Sequence, residues 1–392
     1  MGKKKSKKIR VAFRKNRQKK PRAQNLTQQS LDAGLDDSDL RSEERISGKG
    51  SITRYRTVIG VEQETDNGTQ VLLDVDESKC QPGRVIRSIG LHSIVESEDG
   101  TQYECTVRRL LRTMARDSRS VVVAGDSVLF QPESGDDYQG VIERVNPRRS
   151  VLSRGSKRRE HIIVANVDQV LIVASAADPH LKPGLIDRLL ISGEKGGVKS
   201  LICINKADLI DPVEFQPIIG LYSQLGYEVV LASTVNLAGI DRLKTLLARH
   251  QTVLCGQSGV GKSTLLNQLI PGLKLRTGEV STESRKGKHT TRSTELMKLP
   301  SGGHVVDTPG IRQLNLWNVI PEEVEGFFVE FRPFVTKCKF PDCTHTHEIA
   351  CGILDAVEHG FISRLRYESY QRIFSGQDDA SLKQSHKPKP EG

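Results

Sequence analysis

Aromatic side chains make up only 5% of the 392 residues, with a single Trp. Stacking of bases on rings is therefore a poorer expectation for any nucleic-acid contact than pairing of charge with a phosphate backbone. No stretch comes close to about 18 uninterrupted apolar residues, and the hydrophobic fraction is a modest 36%. That leaves no candidate for a membrane-spanning helix and no expected membrane partner. Acidic residues are absent from the first 22 positions, which carry twelve Lys or Arg. The remaining 46 basic residues face 48 acidic ones, so the formal charge of +10 belongs to the N-terminal run. Such a run reads as an unfolded arm that displaces counterions from nucleic-acid phosphates. It lacks the apolar stretch of a secretory signal. The seven cysteines, an odd number, suit a reducing, cytoplasmic compartment better than a disulfide framework.

A chain of this length is expected to hold two or three domains. Residues 1–48 are polar and charged and should stay unfolded alone. Between 49 and 150, runs such as Val85–Ile89, Tyr103–Val107 and Val128–Phe130 are separated by turn signals, Asp99-Gly100 and Ala124-Gly125-Asp126 among them. This cadence predicts a small all-β barrel or sandwich, with its core in 82–150. After Pro147 the buried runs Val170–Ala174, Leu201–Ile204, Val229–Ala232 and Thr252–Cys255 alternate with helical patterns. That alternation predicts a doubly wound α/β domain over 151–320. Residues 321–378 show helical spacing of Phe327, Phe328, Phe331, Ile353, Leu354 and Val357, and 379–392 read as a disordered tail.

Within the α/β region, Gly256-Gln257-Ser258-Gly259-Val260-Gly261-Lys262-Ser263 falls between an expected strand and an expected helix, the context of a phosphate loop. Its glycines let backbone N–H groups face a β-phosphate, Lys262 reaches the β/γ oxygens, and the Ser263 hydroxyl binds Mg²⁺. Asn205-Lys206-Ala207-Asp208 selects guanine. Asp208 offers two acceptor oxygens to donors that guanine has and adenine lacks, the Lys206 stem lies along the base, and Asn205 ties the loop together. Ser233, just past another strand, is a weaker match to the loop behind the guanine O6. Asp307-Thr308-Pro309-Gly310 would hold Mg²⁺ through water and sense the γ-phosphate through the Gly310 N–H. Thr291, or Thr290 beside it, would complete the Mg²⁺ shell.

Two features of this set are unusual. The guanine element precedes the phosphate loop, whereas an ordinary GTPase begins with that loop. Ile311 follows Gly310, where Ras-like enzymes carry a Gln that orients the attacking water, and isoleucine has no hydrogen-bonding group. Slow intrinsic hydrolysis is expected, with a partner or another side chain supplying the orientation. His289 is the nearest candidate in sequence. Toward the C-terminus, Cys338, Cys343, His345 and Cys351 offer three thiolates and an imidazole, a set that suits one tetrahedral structural Zn²⁺. His347 could compete with His345 as the fourth ligand.

The motif order, the segment Gly287–Thr291 with His289, and the Cys-Cys-His-Cys spacing together resemble the small-subunit-dependent GTPases of bacterial ribosomes, the RsgA/YjeQ family, over roughly residues 82–375. The resemblance implies an OB-fold, a circularly permuted P-loop GTPase and a C-terminal helical zinc-binding domain. It also implies binding to the 30S subunit and its 16S rRNA late in maturation, alongside other assembly factors, with GTP hydrolysis stimulated by that subunit. His289 is then proposed as a catalytic group. The protein is expected to act as a monomer, cycling between GTP and GDP. A scaffold in which nucleotide is only a structural ligand is the alternative, and Ile311 lends it support. Only about 28 positions separate Gly310 from Cys338, so the γ-phosphate sensor is expected to be tethered closely to the zinc module.

Overall fold

The computed structural model describes residues 7–12, 55–65, 68–73, 75–90, 92–114, 121–133, 135, 138–156, 159–275, 294–307 and 321–376. Three strands, β1 (Lys7–Ala12), β2 (Tyr55–Thr65) and β3 (Gly68–Leu73), form an antiparallel sheet. β1 lies inside the segment read as an unfolded arm, and corrects that reading locally. Ile9 and Val11 alternate with Lys8 and Arg10, a period of two masked by the density of charge, and β1 pairs with Tyr55–Gly60 in β2.

The next strands are β4 (Gln81–Ile89), β5 (His92–Ser97), β6 (Gln102–Val107), β7 (Ser127–Pro132) and β8 (Gln139–Val145), with helix α1 (Arg109–Met114) between β6 and β7. Their order is β4-β5-β6-β8-β7, and β7 pairs back onto β4, which closes the sheet. β6 and β8 run parallel and the other pairs antiparallel. A closed five-stranded barrel of this connectivity is the OB architecture. Inward positions alternate along β5 and β6, and Val85, Val95, Cys105, Val128, Phe130 and Ile142 fill the interior. Gly83 marks a tight crossing inside the barrel, because a Cβ there would lie 2.5 Å from a Val95 methyl. The linker after the barrel is pinned by Arg148, whose Nε and Nη2 donate to the two oxygens of fully buried Asp126 at 2.6 and 2.8 Å.

A hairpin of β9 (Val151–Ser156) and β10 (Arg159–Ala165) leads into the central domain. There β11 (Gln169–Ser175), α2 (Pro183–Lys195), β12 (Lys199–Asn205), α3 (Gln216–Gln224), β13 (Glu228–Leu231), α4 (Ile240–Leu247), β14 (Gln251–Cys255), α5 (Lys262–Leu269), β15 (Glu295–Lys298) and β16 (His304–Asp307) follow in turn. The sheet order is β13-β12-β11-β14-β16-β15, parallel except for β15. Strands buried on both faces read as continuous apolar runs. Ile172, Ile202, Ile204 and Val253 pack with α2 and α3 on one face, while Leu171, Leu201, Cys203 and Leu254 pack with α4 and α5 on the other.

The C-terminal module contains α6 (Pro321–Val324), two 3₁₀ turns at Glu325–Phe327 and Val329–Phe331, α7 (Arg332–Val335), α8 (Gly352–Glu358) and α9 (Arg364–Phe374). Its core of Phe328, Phe331, Ile353, Ile362 and Tyr370 also takes in Ile191 of α2, so the module is built onto the central domain.

Candidate nucleotide site and metal centre

The direction of winding reverses between β11 and β14. From β11 the chain moves through α2 to β12, and from β14 it moves through α5 toward β16 on the other side. Ligands of open α/β sheets sit in the crevice at the carboxyl ends of the strands at such a reversal. The segments leaving β11, β12, β13 and β14 carry 176–182, 206–208, 232–236 and 256–263 toward that crevice.

After β14 the backbone passes through left-handed φ values at Gly256 (143°), Gly259 (85°) and Gly261 (91°). Two of these positions exclude any side chain. A Cβ on Gly256 would stand 2.1 Å from the Val173 carbonyl oxygen, and one on Gly261 would stand 2.4 Å from Asn205 Nδ2. Lys262 opens α5 and its Nζ donates to the carbonyl oxygens of Gly256 and Gln257 at 2.8 and 2.7 Å. The ammonium thus folds over the loop at a helix N-terminus, an arrangement suited to an anion. Ser263 is the next residue of the same turn.

Asn205 Nδ2 donates to the Val260 carbonyl at 2.8 Å, which sews the β12 loop to the phosphate-type loop. Lys206 is left-handed (φ 63°) and its ammonium donates to the Asp178 carbonyl, so its stem runs across the mouth between 176–182 and 206–208. The exposed Asp208 accepts at Oδ1 from the Ser233 hydroxyl at 2.5 Å. Ser233 is fully buried, and its Oγ also accepts from the N–H groups of Val235 and Asn236 at 3.1 and 3.3 Å. That serine therefore orients the carboxylate of Asp208. His289, Thr290, Thr291, Gly310, Ile311 and the side chain of Asp307 lie outside the described residues; the Asp307 backbone ends β16, next to β14.

Sequence reasoning missed a polar contact between barrel and GTPase sheet. Glu295 of β15 pairs with Arg87 of β4 in the sheet register, and their charged groups lie 3.5 Å apart. Nearby, Arg84 Nη1 donates to His304 Nδ1 at 3.3 Å, His304 Nε2 lies 3.4 Å from Glu96, and Lys298 donates to Glu96 at 3.1 Å. Burial first, and the Arg84 cation second, hold the His304 pKa below its ordinary value, which keeps Nδ1 available as an acceptor. The hairpin β15–β16 stands between the segment holding Thr290 and Thr291 and the segment holding Gly310.

In the C-terminal module, the ligand atoms of Cys338, Cys343, His345 and Cys351 all lie within 4.8 Å of one another, a cluster that could hold a metal ion. His345 Nδ1 faces the sulfurs, 3.5 Å from Cys338 and 3.3 Å from Cys351, while Nε2 contacts Glu325 at 2.9 Å. A carboxylate behind the imidazole fixes its tautomer and makes the other nitrogen a better ligand. His347 is exposed and turns instead to the Thr346 hydroxyl, which leaves His345 as the histidine of the cluster. Glu348 shapes the loop by accepting from the N–H groups of Thr344, Thr346 and His347. Burial works to raise its carboxyl pKa, but the hydrogen bond from the Thr344 hydroxyl, followed by those from the backbone N–H groups of Thr344, Glu348 itself and His347, overcomes that and holds it well below the ordinary range. Glu325 precedes His345 by 20 positions in sequence, with no motif to mark it. Glu325→Ala is expected to weaken metal binding about 10–100-fold, measured by competition with a chromogenic chelator.

Fold and site define a P-loop GTPase whose motifs are circularly permuted, flanked by an OB-type barrel and a helical metal-binding module. Residues 145–317 match the model of the RsgA GTPase family. The chain is 37% identical over 335 residues to a small ribosomal subunit biogenesis GTPase RsgA of Sodalis glossinidius, covering 82% of this chain and 93% of that one. It is 39% identical over 302 residues to RsgA 1 of Vibrio vulnificus, covering 74% and 82%. Among solved structures it is similar to YjeQ from Thermotoga maritima, with a TM-score of 0.64 and 34% identity over 76% of this chain and 98% of the other. It is also similar to YloQ, described as a circularly permuted GTPase, with a TM-score of 0.61 and 26% identity over 81% and 99%. The chain belongs to the RsgA GTPase family.

Proposed function

We propose that this protein hydrolyses GTP as a switch during late maturation of the small ribosomal subunit in the cytoplasm, acting as a monomer that contacts 16S rRNA. The observation that carries this reading is the meeting of Asn205, Lys206 and Asp208 with the phosphate-type loop at the sheet's reversal point, in a chain of this family. Asp208 pairs with the guanine edge, Lys206 covers the base, and Ser233 orients Asp208. Residues 256–263 wrap the phosphates, with Lys262 at the β/γ oxygens. Mg²⁺ is held with GTP by Ser263, by Thr291 or Thr290, and through water by Asp307, while Gly310 reads the γ-phosphate. His289 assists the attacking water in place of the side chain that Ile311 lacks. The metal of the cysteine cluster is Zn²⁺, because three thiolates and one imidazole match its preference for four soft and borderline ligands. Domain limits of 49–150, 151–320 and 321–378 follow this division of labour, with 1–48 and 379–392 as tails and β1 a local exception.

The test is hydrolysis of GTP and ATP with and without purified 30S subunits. GTP turnover should rise with 30S and ATP turnover should not. Lys262→Ala should reduce the stimulated rate by at least about 10²-fold, the scale on which loss of one group that stabilises developing charge is felt. Absence of stimulation by 30S particles would remove the switch and favour the scaffold.

A further inference from the structure

Rings are scarce in this chain, yet three of them are stacked on the surface of the C-terminal module. The Phe334 and Phe361 centroids lie 6.0 Å apart with planes inclined by 27°, and His359 continues the stack at 6.5 Å and 25°. Phe361 is 72% exposed. Leaving so large an apolar ring in water has no value for folding by itself. The stack is also held ready. Gly360 turns through φ 76° between His359 and Phe361. The Phe361 and Ile362 N–H groups both donate to the Ala356 carbonyl, at 2.8 and 3.1 Å, and the Ile362 side chain is sunk in the core below. Little ordering entropy remains to be lost on binding.

Cations border these rings. Lys337 Nζ lies 5.0 Å from the Phe334 centroid, and two positions on Lys339 Nζ lies 5.6 Å from Phe340, which is itself 45% exposed. At the opposite edge Asp355 pairs with His359 at 3.3 Å. A polyanion would therefore approach from the lysine side with its apolar faces toward the rings. A largely exposed ring on a pre-ordered turn, extended by neighbouring rings and flanked by lysines, matches the chemistry of unpaired nucleobases joined by phosphates. A protein partner requires only apolar area.

We infer that Phe334, Phe361 and His359 form a stacking platform for unpaired bases of single-stranded RNA, with Lys337 and Lys339 taking the adjoining phosphates. This rests on the reading of the protein as a factor that contacts RNA of the small subunit. The experiment measures anisotropy of a labelled single-stranded RNA oligonucleotide with the full-length protein, for wild type, Phe361→Leu and Phe361→Trp, over a range of salt. Equal metal content and melting temperature establish that the variants are folded. Phe361→Leu should weaken binding about tenfold or more with the salt slope unchanged. Phe361→Trp should retain it, because an aromatic face is restored. Lys337→Gln should lower the salt slope by about one. Equal affinity of wild type and Phe361→Leu would overturn the inference. So would loss of affinity for the 30S particle with oligonucleotide binding intact, which assigns the surface to a protein. Stimulated GTP turnover tests the underlying reading separately, since wild-type stimulation by 30S does not depend on how the oligonucleotide binds.

Discussion

Chelation of the bound metal is expected to melt residues 321–376, removing binding energy on the order of 10–16 kcal/mol at neutral pH. The four ligands sit within the module's core and not on its rim. Cys343 and Cys351 belong to the same buried cluster as Phe331 and Ile353. Cys351 Sγ accepts from the Leu354 N–H at the start of α8, and Tyr367 and Tyr370 donate to the carbonyls of His345 and Thr344 at 2.8 and 2.9 Å. A module of this size has too little core to fold without a staple. Removing the ion leaves three sulfurs and a buried imidazole crowded together without the charge that reconciles them. Hydrogen exchange after chelation should show α8 and α9 losing protection while β11, β12 and β14 keep theirs. Retained protection in α8 once the protein is metal-free would refute this.

The central site was legible because its chemistry is written in short contiguous motifs. Gly256–Ser263 and Asn205–Asp208 each sit directly after a strand, so finding the strand places the motif. Their reversed order is matched in the sheet, where β11 and β12 precede β14 in sequence and β11 stands directly beside it. The barrel was legible as alternation and turns, but its closure depends on β7 returning to β4, a pairing no local pattern encodes. Contacts between domains left no trace. Arg366 and Asp187 are 179 positions apart, and each looks like an ordinary charge on an amphipathic helix. Arg84, Glu96 and His304 are equally scattered. β1 was hidden for the opposite reason, since the two-residue period of Ile9 and Val11 is short and embedded among twelve basic residues.

These unforeseen contacts bear on how nucleotide state could be transmitted. The short tether from Gly310 to Cys338 places the γ-phosphate sensor close in sequence to the C-terminal module. That module is also joined to α2 by the buried pair of Arg366 with Asp187. The hairpin β15–β16 meets the barrel through partly exposed pairs such as Arg87 with Glu295, contacts that are individually weak.

Arg366→Ala is expected to destabilise the folded chain by about 3–5 kcal/mol, as removal of one member of a buried ion pair does. Arg366, Asp187 and Glu330 have side chains only 1%, 0% and 8% exposed. Arg366 donates from Nη1 to Asp187 at 2.7 Å and from Nε and Nη2 to Glu330 at 2.6 and 3.2 Å. Its guanidinium stands 4.5 Å over the Phe328 ring, and the Tyr222 hydroxyl donates to Asp187 at 2.8 Å. Losing the arginine leaves two carboxylates in a dry interface with one cation fewer than they need. Desolvation makes such a triad a poor source of net stability, however, so replacing all three charges with Leu or Met of similar volume should be close to neutral. The two results together separate the cost of an orphaned charge from the worth of the interaction. Chelation should also lessen the effect of Arg366→Ala, because melting the module lets water reach Asp187 and solvate it. Urea unfolding of wild type, Arg366→Ala and the triple replacement, with and without chelator, measures each quantity. A triple replacement as damaging as Arg366→Ala would mean that the ion network itself, and not merely the filled volume, holds the module to α2.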